Sequence, residues 1–457
     1  MSKPEPPKSS RTLALKILQA IEQYKQKSAS EILSDALNHA DLTPTDRALV
    51  TEVVYGVLRH RTPIDFAIKS LLKTKRPPQP VLQQILRIAS YQILFLDRVP
   101  AYAAVNEAVS SARNALGRGA AGFVNAILRK IANKSLNDII LPYPDKNPVE
   151  YLSLRYSHPR WMVDKFIEQF GIARTEALLS FNNEPAPITL RVNTLKTTLE
   201  ELIEWIHSEH PEAQIAKGYL SPQALNVRNL TVTAKWTPLK KGWLYVQDEA
   251  SQLIAYLAKP SPGMRIVDYC SAPGGKLTHI AELVRNDAHF IALDINEQRL
   301  KMVRENCQRL GVKDVLIAKV SPEIIAELKT NPADIVIADV PCSALGTIRR
   351  HPDIKWRKTP KGIARLPQLQ LDILENAASL VRKEGRLIYC TCTLIKEENE
   401  EVVKRFLQRH PEFTVENPRG FLPPGISPHF TPEGYLFAFP PEAKTDGFFA
   451  VRLKKRP

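Results

Sequence analysis

Three cysteines stand where a sheet could present them as reagents. Cys342 follows the apolar run Ile335-Val-Ile-Ala and then Asp339-Val-Pro, and Cys390 and Cys392 close Leu387-Ile-Tyr-Cys-Thr-Cys-Thr393. A thiol at such a strand end becomes a nucleophile once it ionises. Asp339, three residues before Cys342, stands at the same carboxyl edge, where open sheets bind ligands. If the second run stays extended, alternation puts Cys390 and Cys392 on one face, and the sequence does not separate them. Cys307 lies inside a helical stretch and reads as a small buried hydrophobe.

A second constellation suits a ligand rather than a reaction. Val267-Asp-Tyr-Cys-Ser-Ala-Pro-Gly-Gly-Lys276 is an apolar strand that runs through small residues into a helix. Gly274 and Gly275 let the backbone approach a ligand closely, at the place where open α/β sheets bind nucleotides. The spacing is neither a P-loop nor a GxGxxG turn, and a tight strand-to-helix turn would by itself account for the glycines. Asp294 ends the next apolar run, Ile291-Ala-Leu-Asp, about twenty residues on. A carboxylate there can accept both hydroxyls of a ribose or serve the N-terminus of the helix that starts near Asn296.

The bulk numbers exclude several classes. Five cysteines, an odd count with no Cys-x-x-Cys pair, argue against a disulfide framework and a structural zinc site. The polar, Pro-rich N-terminus lacks the apolar core of a secretory signal, and no apolar run reaches the ~18 residues of a membrane helix. A cytoplasmic protein without a membrane partner is expected. Sixty-three Lys and Arg against 48 Asp and Glu give a formal charge of +15, which favours a polyanionic partner.

Four stretches must position these residues. Residues 1–140 read as an all-helical bundle. Leu13, Ile17, Ile21 and Tyr24 form one apolar face, and Thr43 caps a helix with Pro44 in its first turn. Leu141-Pro-Tyr-Pro-Asp-Lys-Asn-Pro148 reads as a linker within 141–149, and 150–238 as a small α+β module with a strand at Ile188–Val192. From 239 to 457 short apolar strands alternate with helices, which predicts a mostly parallel sheet covered on both faces. Tyr435–Phe439 and Gly447–Leu453 predict a terminal antiparallel hairpin. Six Lys or Arg between Arg349 and Lys361, with Trp356 among them, suit a phosphate backbone and an unstacked base, or else a solvated loop.

Asp268 to Lys276, Asp294, Asp339-Val-Pro-Cys342 and Thr391-Cys-Thr393, in this order, resemble the motifs of the Nop2/Sun family of RNA cytosine-C5 methyltransferases. Arg349-Arg-His-Pro-Asp-Ile-Lys-Trp356, Tyr245-Val-Gln-Asp-Glu-Ala-Ser251 and Leu190-Arg-Val-Asn193 are similar to further family segments. The N-terminal bundle resembles the RNA-binding fold of NusB. The resemblance covers nearly the whole chain. It implies a Rossmann-like class I methyltransferase domain, the cofactor S-adenosyl-L-methionine, and a monomer acting on small-subunit (16S) ribosomal RNA, where the usual target is cytosine 967.

The resemblance also assigns roles. Carbon 5 of cytosine takes a methyl group only after a thiolate adds at carbon 6 and makes the ring an enamine. The cysteine of the Thr-Cys motif, Cys392, would be that nucleophile. Asp339 would serve the ring nitrogen, and Cys342 would help expel the enzyme after methylation. Cys270, Ser271, Ala272, Pro273, Gly274, Gly275 and Lys276 would surround the methionine part of the cofactor, with Asp294 on its ribose and Asp339 also at the cofactor. The family carries another acid near the adenine, at the end of the next strand; here Val320 occupies that position. A transfer-RNA methyltransferase of the same family, or a non-enzymatic RNA-binding assembly factor, are the alternatives.

Overall fold

A computed structural model describes residues 9–72, 77–134, 146–233, 235–423 and 425–457. Most of the expected linker, 141–145, lies outside them. The chain divides into two compact units. The first runs to Glu184 and takes in Ile348–Lys358, and the second comprises Pro185–Thr347 and Thr359–Pro457.

Among its described residues the first unit is helical. Thr43 accepts from the Asp46 N–H with Pro44 in the first turn, as its sequence dictates. Ser28 and Glu31 form a reciprocal capping box on a helix, Ala29–Asn38, that periodicity alone did not predict. Leu13, Ile17 and Ile21 are buried, but Tyr24 is 53 % exposed. It falls one residue past the helix end, where the backbone leaves the helical path and carries the side chain out of the apolar stripe. Two long helices, Ala101–Ala132 and Arg160–Asn183, are broken at Gly117 (φ 85°) and Gly171 (φ 75°). Positive φ is open to glycine at little cost, so these are the positions at which the chain can kink.

The second unit holds two sheets. The smaller is antiparallel and contains β1 (Ile188–Val192), β2 (Gln214–Lys217), β3 (Ala224–Arg228) and β4 (Leu244–Val246), in the order β2-β3-β1-β4. Leu202 and Ile206 of the helix Leu199–Glu209 pack on it with Leu190, Val192, Leu225 and Val227. The larger sheet contains β5 (Arg265–Asp268), β6 (His289–Asp294), β7 (Val315–Lys319), β8 (Ala333–Asp339), β9 (Val381–Thr391), β10 (Phe413–Val415), β11 (Leu436–Ala438) and β12 (Phe448–Lys455). Its order is β10-β12-β9-β8-β5-β6-β7, with β11 also paired to β12. The pairs among β5 to β9 are parallel, and β12 runs antiparallel to β9. Ile266, Val267, Ile335, Val336 and Ile337 are each at most 1 % exposed, as strands covered on both faces must be.

This order fixes where chemistry can occur. β5 lies between β6 on one side and β8 on the other, so the crossovers leave it in opposite directions and open a crevice at the carboxyl ends of the strands. Asp268, Asp294, Asp339 and Thr391 are the last residues of β5, β6, β8 and β9.

Candidate active site

The turn after β5 is held from several directions. Ser271 N–H donates to Leu293 O (2.8 Å), Arg299 reaches Ala272 O (2.7 Å), and Asn306 reaches Pro273 O (3.0 Å). Gly274 has φ 96°, and a Cβ on Gly275 would lie 2.9 Å from the Tyr245 ring. Glycine is therefore required at one position for conformation and at the other for space. Asp294 is 4 % exposed; its Oδ1 accepts from Asn296 N–H (2.9 Å), and Oδ2 lies 3.6 Å from Arg299. Asn296, not Asp294, caps the helix Glu297–Leu310, which ends on Gly311 at φ 80°. Asp294 is thus positioned at the crevice without being spent as the cap. Val320 follows β7, and its N–H donates to Asp294 O (3.1 Å).

Asp268 is buried, and its Oδ1 has no hydrogen-bond partner among the described residues. Burial pushes its carboxyl up to about 7, against the pull of Lys276 and with the push of Asp339. A buried carboxyl beside a glycine cradle, with a second acid on the neighbouring strand, is a donor and acceptor set suited to a ligand carrying an amine and a ribose.

The reactive side lies at the ends of β8 and β9. Cys342 and Cys392 are both partly exposed, with their sulfurs 3.1 Å apart. Cys390 is fully buried, and its thiol donates to Asp339 Oδ1 (3.5 Å). Burial, then the charge of Asp339, holds the Cys390 thiol far above its ordinary value. The environments therefore separate two cysteines that sequence alternation leaves equivalent: Cys390 is a buried hydrogen-bond donor, and Cys392 is partly exposed. Cys342 is also held well up, first by its hydrogen bond with Cys392 and then by burial.

Lys276 is ion-paired with Asp339 and lies 5.6 Å over the Phe448 ring. Burial lowers its ammonium, but Asp339 leads the charges that outweigh burial and raise it. Lys276 thus faces the expected ring-binding acid. An exposed cation on a Gly-Gly-Lys turn and a buried one read identically in sequence.

Two upstream motifs act as supports. Arg191 on β1 is 0 % exposed; it donates to Gln247 Oε1 (2.6 Å), Gly275 O (2.5 Å), Thr278 Oγ1 (3.0 Å) and Glu282 Oε1 (2.7 Å). Its guanidinium also lies 5.1 Å over Tyr245. Asn193 donates to Gly242 O and Leu310 O, both at 2.7 Å. The small sheet is in this way fastened to the glycine turn. Nothing in the sequence indicated that Arg191 is buried.

Several side chains of the basic stretch around Trp356 are engaged inside the fold. Arg349 is 7 % exposed and lies 4.1 Å over Phe181, and Lys355 is 1 % exposed and donates to Arg59 O (2.8 Å). Trp356 donates its indole N–H to Leu58 O (2.7 Å) and packs on the core of the helical unit. Arg357 pairs with Asp353 at 2.7 Å. These groups are spent on partners within the first unit, because aromatic and aliphatic stems bury favourably once their polar tips find carbonyls.

A family model described as 16S rRNA methyltransferase RsmB/F matches residues 255–454, one described as NusB family matches 8–133, and an RsmF/B-like ferredoxin-like domain matches 158–232. Among solved structures, the crystal structure of PH0851 is similar with a TM-score of 0.79 and 30 % identity, covering 97 % of this chain and 98 % of that one. NSun6 from Pyrococcus horikoshii, solved with SFG, shares the fold at a TM-score of 0.58 and 24 % identity, over 65 % of this chain and 98 % of its own. The chain is 34 % identical to the probable ribosomal RNA small subunit methyltransferase B of Bacillus subtilis, over 98 % of its own length and 99 % of the relative's. For the Synechocystis relative of the same name the values are 36 %, 98 % and 99 %. With identity of this level sustained from end to end, the chain belongs to the ribosomal RNA small subunit methyltransferase B family.

Proposed function

We propose that the protein transfers a methyl group from S-adenosyl-L-methionine to carbon 5 of a cytosine in small-subunit ribosomal RNA, through a covalent bond between Cys392 and carbon 6. The observation that carries this reading is the pair of partly exposed cysteines with sulfurs 3.1 Å apart, at the carboxyl edge that also carries Asp339 and the glycine turn. The cofactor supplies an electrophilic methyl sulfonium carbon. Gly274 and Gly275 shape the turn that would hold it, Asp294 offers its carboxylate to the ribose, and Asp268 offers a buried acceptor.

The remaining steps belong to side chains. The cytosine leaves its stack to reach the crevice. Cys392 adds through sulfur to carbon 6, and the displaced electron pair moves toward the ring nitrogen. Asp339, as the acid, gives that nitrogen its proton and takes it back when Cys392 leaves, with the paired Lys276 ammonium offsetting the negative charge. Carbon 5 then takes the methyl group as the methyl–sulfur bond breaks, with that bond's electron pair left on a neutral thioether sulfur. Cys342 assists removal of the carbon-5 proton, the ring electrons return, and Cys392 leaves as thiolate.

The test uses full-length protein, labelled cofactor and small-subunit RNA, with bisulfite sequencing to locate the product. Cys392→Ala is expected to abolish transfer, and Cys342→Ala to accumulate an RNA–protein adduct on a denaturing gel. Transfer retained by Cys392→Ala sinks the nucleophile assignment, and methylation away from carbon 5 of cytosine sinks the reaction class.

A further inference from the structure

One buried acid touches both cysteine loops and has no part in the reaction described above. Glu398 is 0 % exposed. Its Oε2 accepts from Ser343 N–H (2.8 Å), directly after Cys342, and from Gln370 Nε2 (2.8 Å). Its Oε1 faces Thr393 Oγ1 (3.4 Å), directly after Cys392, and its backbone carbonyl accepts from Tyr389 OH (2.5 Å). Gln370 also donates to Pro341 O (3.1 Å), directly before Cys342. Asn399 continues the arrangement: it accepts from Thr391 Oγ1 (2.6 Å) and donates to Thr393 O (3.1 Å), so both neighbours of Cys392 are tied to one side chain. Ser343 Oγ and Thr393 Oγ1 are themselves 2.6 Å apart.

From this geometry we infer that Glu398 is a positioning residue, a buried anionic clamp that sets the spacing of Cys342 and Cys392 and decides which sulfur carries the negative charge. The inference rests on the reaction proposed above. A carboxylate that accepts several hydrogen bonds is stabilised as the anion. An anion inside the protein acts strongly on its neighbours because the local dielectric is low. Its charge is among the groups that hold the Cys342 thiol up. With Cys342 kept as the thiol, its S–H can donate across the 3.1 Å gap to Cys392 as the thiolate. The pair then behaves as one nucleophile and one proton carrier rather than as two equivalent thiols.

The test reads which sulfur is the thiolate without requiring RNA or methyl transfer. Full-length protein is treated briefly with iodoacetamide near neutral pH, and modification at Cys392 and Cys342 is quantified by mass spectrometry. The unaltered protein is expected to label at Cys392 in preference to Cys342. Glu398→Gln keeps the shape and removes the charge, so labelling is expected to shift toward Cys342 by at least fivefold, with a loss of kcat larger than any change in KM. Thr393→Val removes a clamp contact and leaves the charge in place; it should lower kcat while keeping the preference for Cys392. A Glu398→Gln protein that folds and labels with an unchanged ratio overturns the inference. So does a Thr393→Val protein whose ratio shifts as far as that of Glu398→Gln. Should Glu398→Gln fail to fold, the unaltered protein still decides the matter: labelling at Cys342 equal to or above that at Cys392 overturns the inference. Because alkylation needs no substrate, a failure here is distinguishable from failure of the methyltransferase reading, which only the RNA assay reports.

Discussion

Replacing Arg191 by methionine removes the fastening between the small sheet and the glycine turn while keeping much of the side-chain volume. Four hydrogen bonds go, to Gln247, Gly275, Thr278 and Glu282. The partner left behind is the costly one: breaking a buried ion pair from one side typically costs about 3–5 kcal/mol. Burial already pushes the Glu282 carboxyl up to about 7 against the pull of Arg191, so in the variant it can take a proton at modest cost. That relief offsets part of the loss, and about 3 kcal/mol is expected near pH 7. The pH dependence follows with a definite sign. A carboxyl raised when folded binds its proton more tightly there than in the unfolded chain, so stability falls as pH rises from its ordinary value of 4.5 toward its folded value. The variant extends that decline above pH 7, by up to about 1.4 kcal/mol per unit. Urea unfolding across pH 5–9, followed by circular dichroism, measures both effects. Arg191→Met with Glu282→Leu should recover most of the loss, because no unpaired charge remains. A single variant within about 1 kcal/mol of the original at pH 7 to 9 refutes the reasoning.

Further outcomes follow from other parts of the molecule. Gly275→Ala pushes a methyl group against the Tyr245 ring, 2.9 Å away, and calorimetry should show cofactor binding weakened about tenfold, equivalent to about 1.4 kcal/mol. Trp356→Ala removes a packed indole and its bond to Leu58 O; thermal unfolding should report about 3 kcal/mol lost from the helical unit, whereas a nucleic-acid loop residue would leave stability untouched. Asp268, raised to about 7 from an ordinary 3.8, stabilises the cofactor-free protein at acid pH and ceases to do so as pH rises through that window. Asp268→Asn should flatten this slope between pH 4 and 7, and an unchanged slope assigns it to other groups.

The sheet and the acids at its carboxyl edge were legible because each carries a local signature. The strands that became β5, β6, β7 and β8 are short apolar runs, and Asp294 and Asp339 follow directly from where those runs stop. Asn296 and Thr43 cap helices because short polar side chains reach the free N–H groups of a first turn. β2, β3 and β4 were not legible. Gln214–Lys217 is a largely exposed edge strand and Leu244–Val246 has three residues, so neither shows the alternation that marks a half-buried strand. Lys355, Arg191 and Glu398 are buried charged residues, and composition assigns such residues to the surface. Their partners lie far off in the chain: Lys355 bonds to a carbonyl 296 residues away and Arg191 to a carboxylate 91 away. No local window contains that information. The difference between Cys390 and Cys392 is likewise one of depth beside Asp339, which becomes readable only when β8 and β9 pair.

The excursion of Ile348–Lys358 into the first unit bears on the order in which this protein can be made. Trp356 completes its contact with Leu58 across 298 residues of chain. At a synthesis rate of about 5–20 residues per second, the helices emerge about 15–60 s before the segment that finishes their core. During that interval the nascent bundle holds an uncovered apolar site and an unpaired Leu58 carbonyl, a surface that a holding chaperone or a neighbouring nascent chain can occupy. The last step of folding for the first part of the chain therefore belongs to residues translated late. A protein cut at Glu184 lacks Ile348–Lys358, the late segment that belongs to the same compact unit.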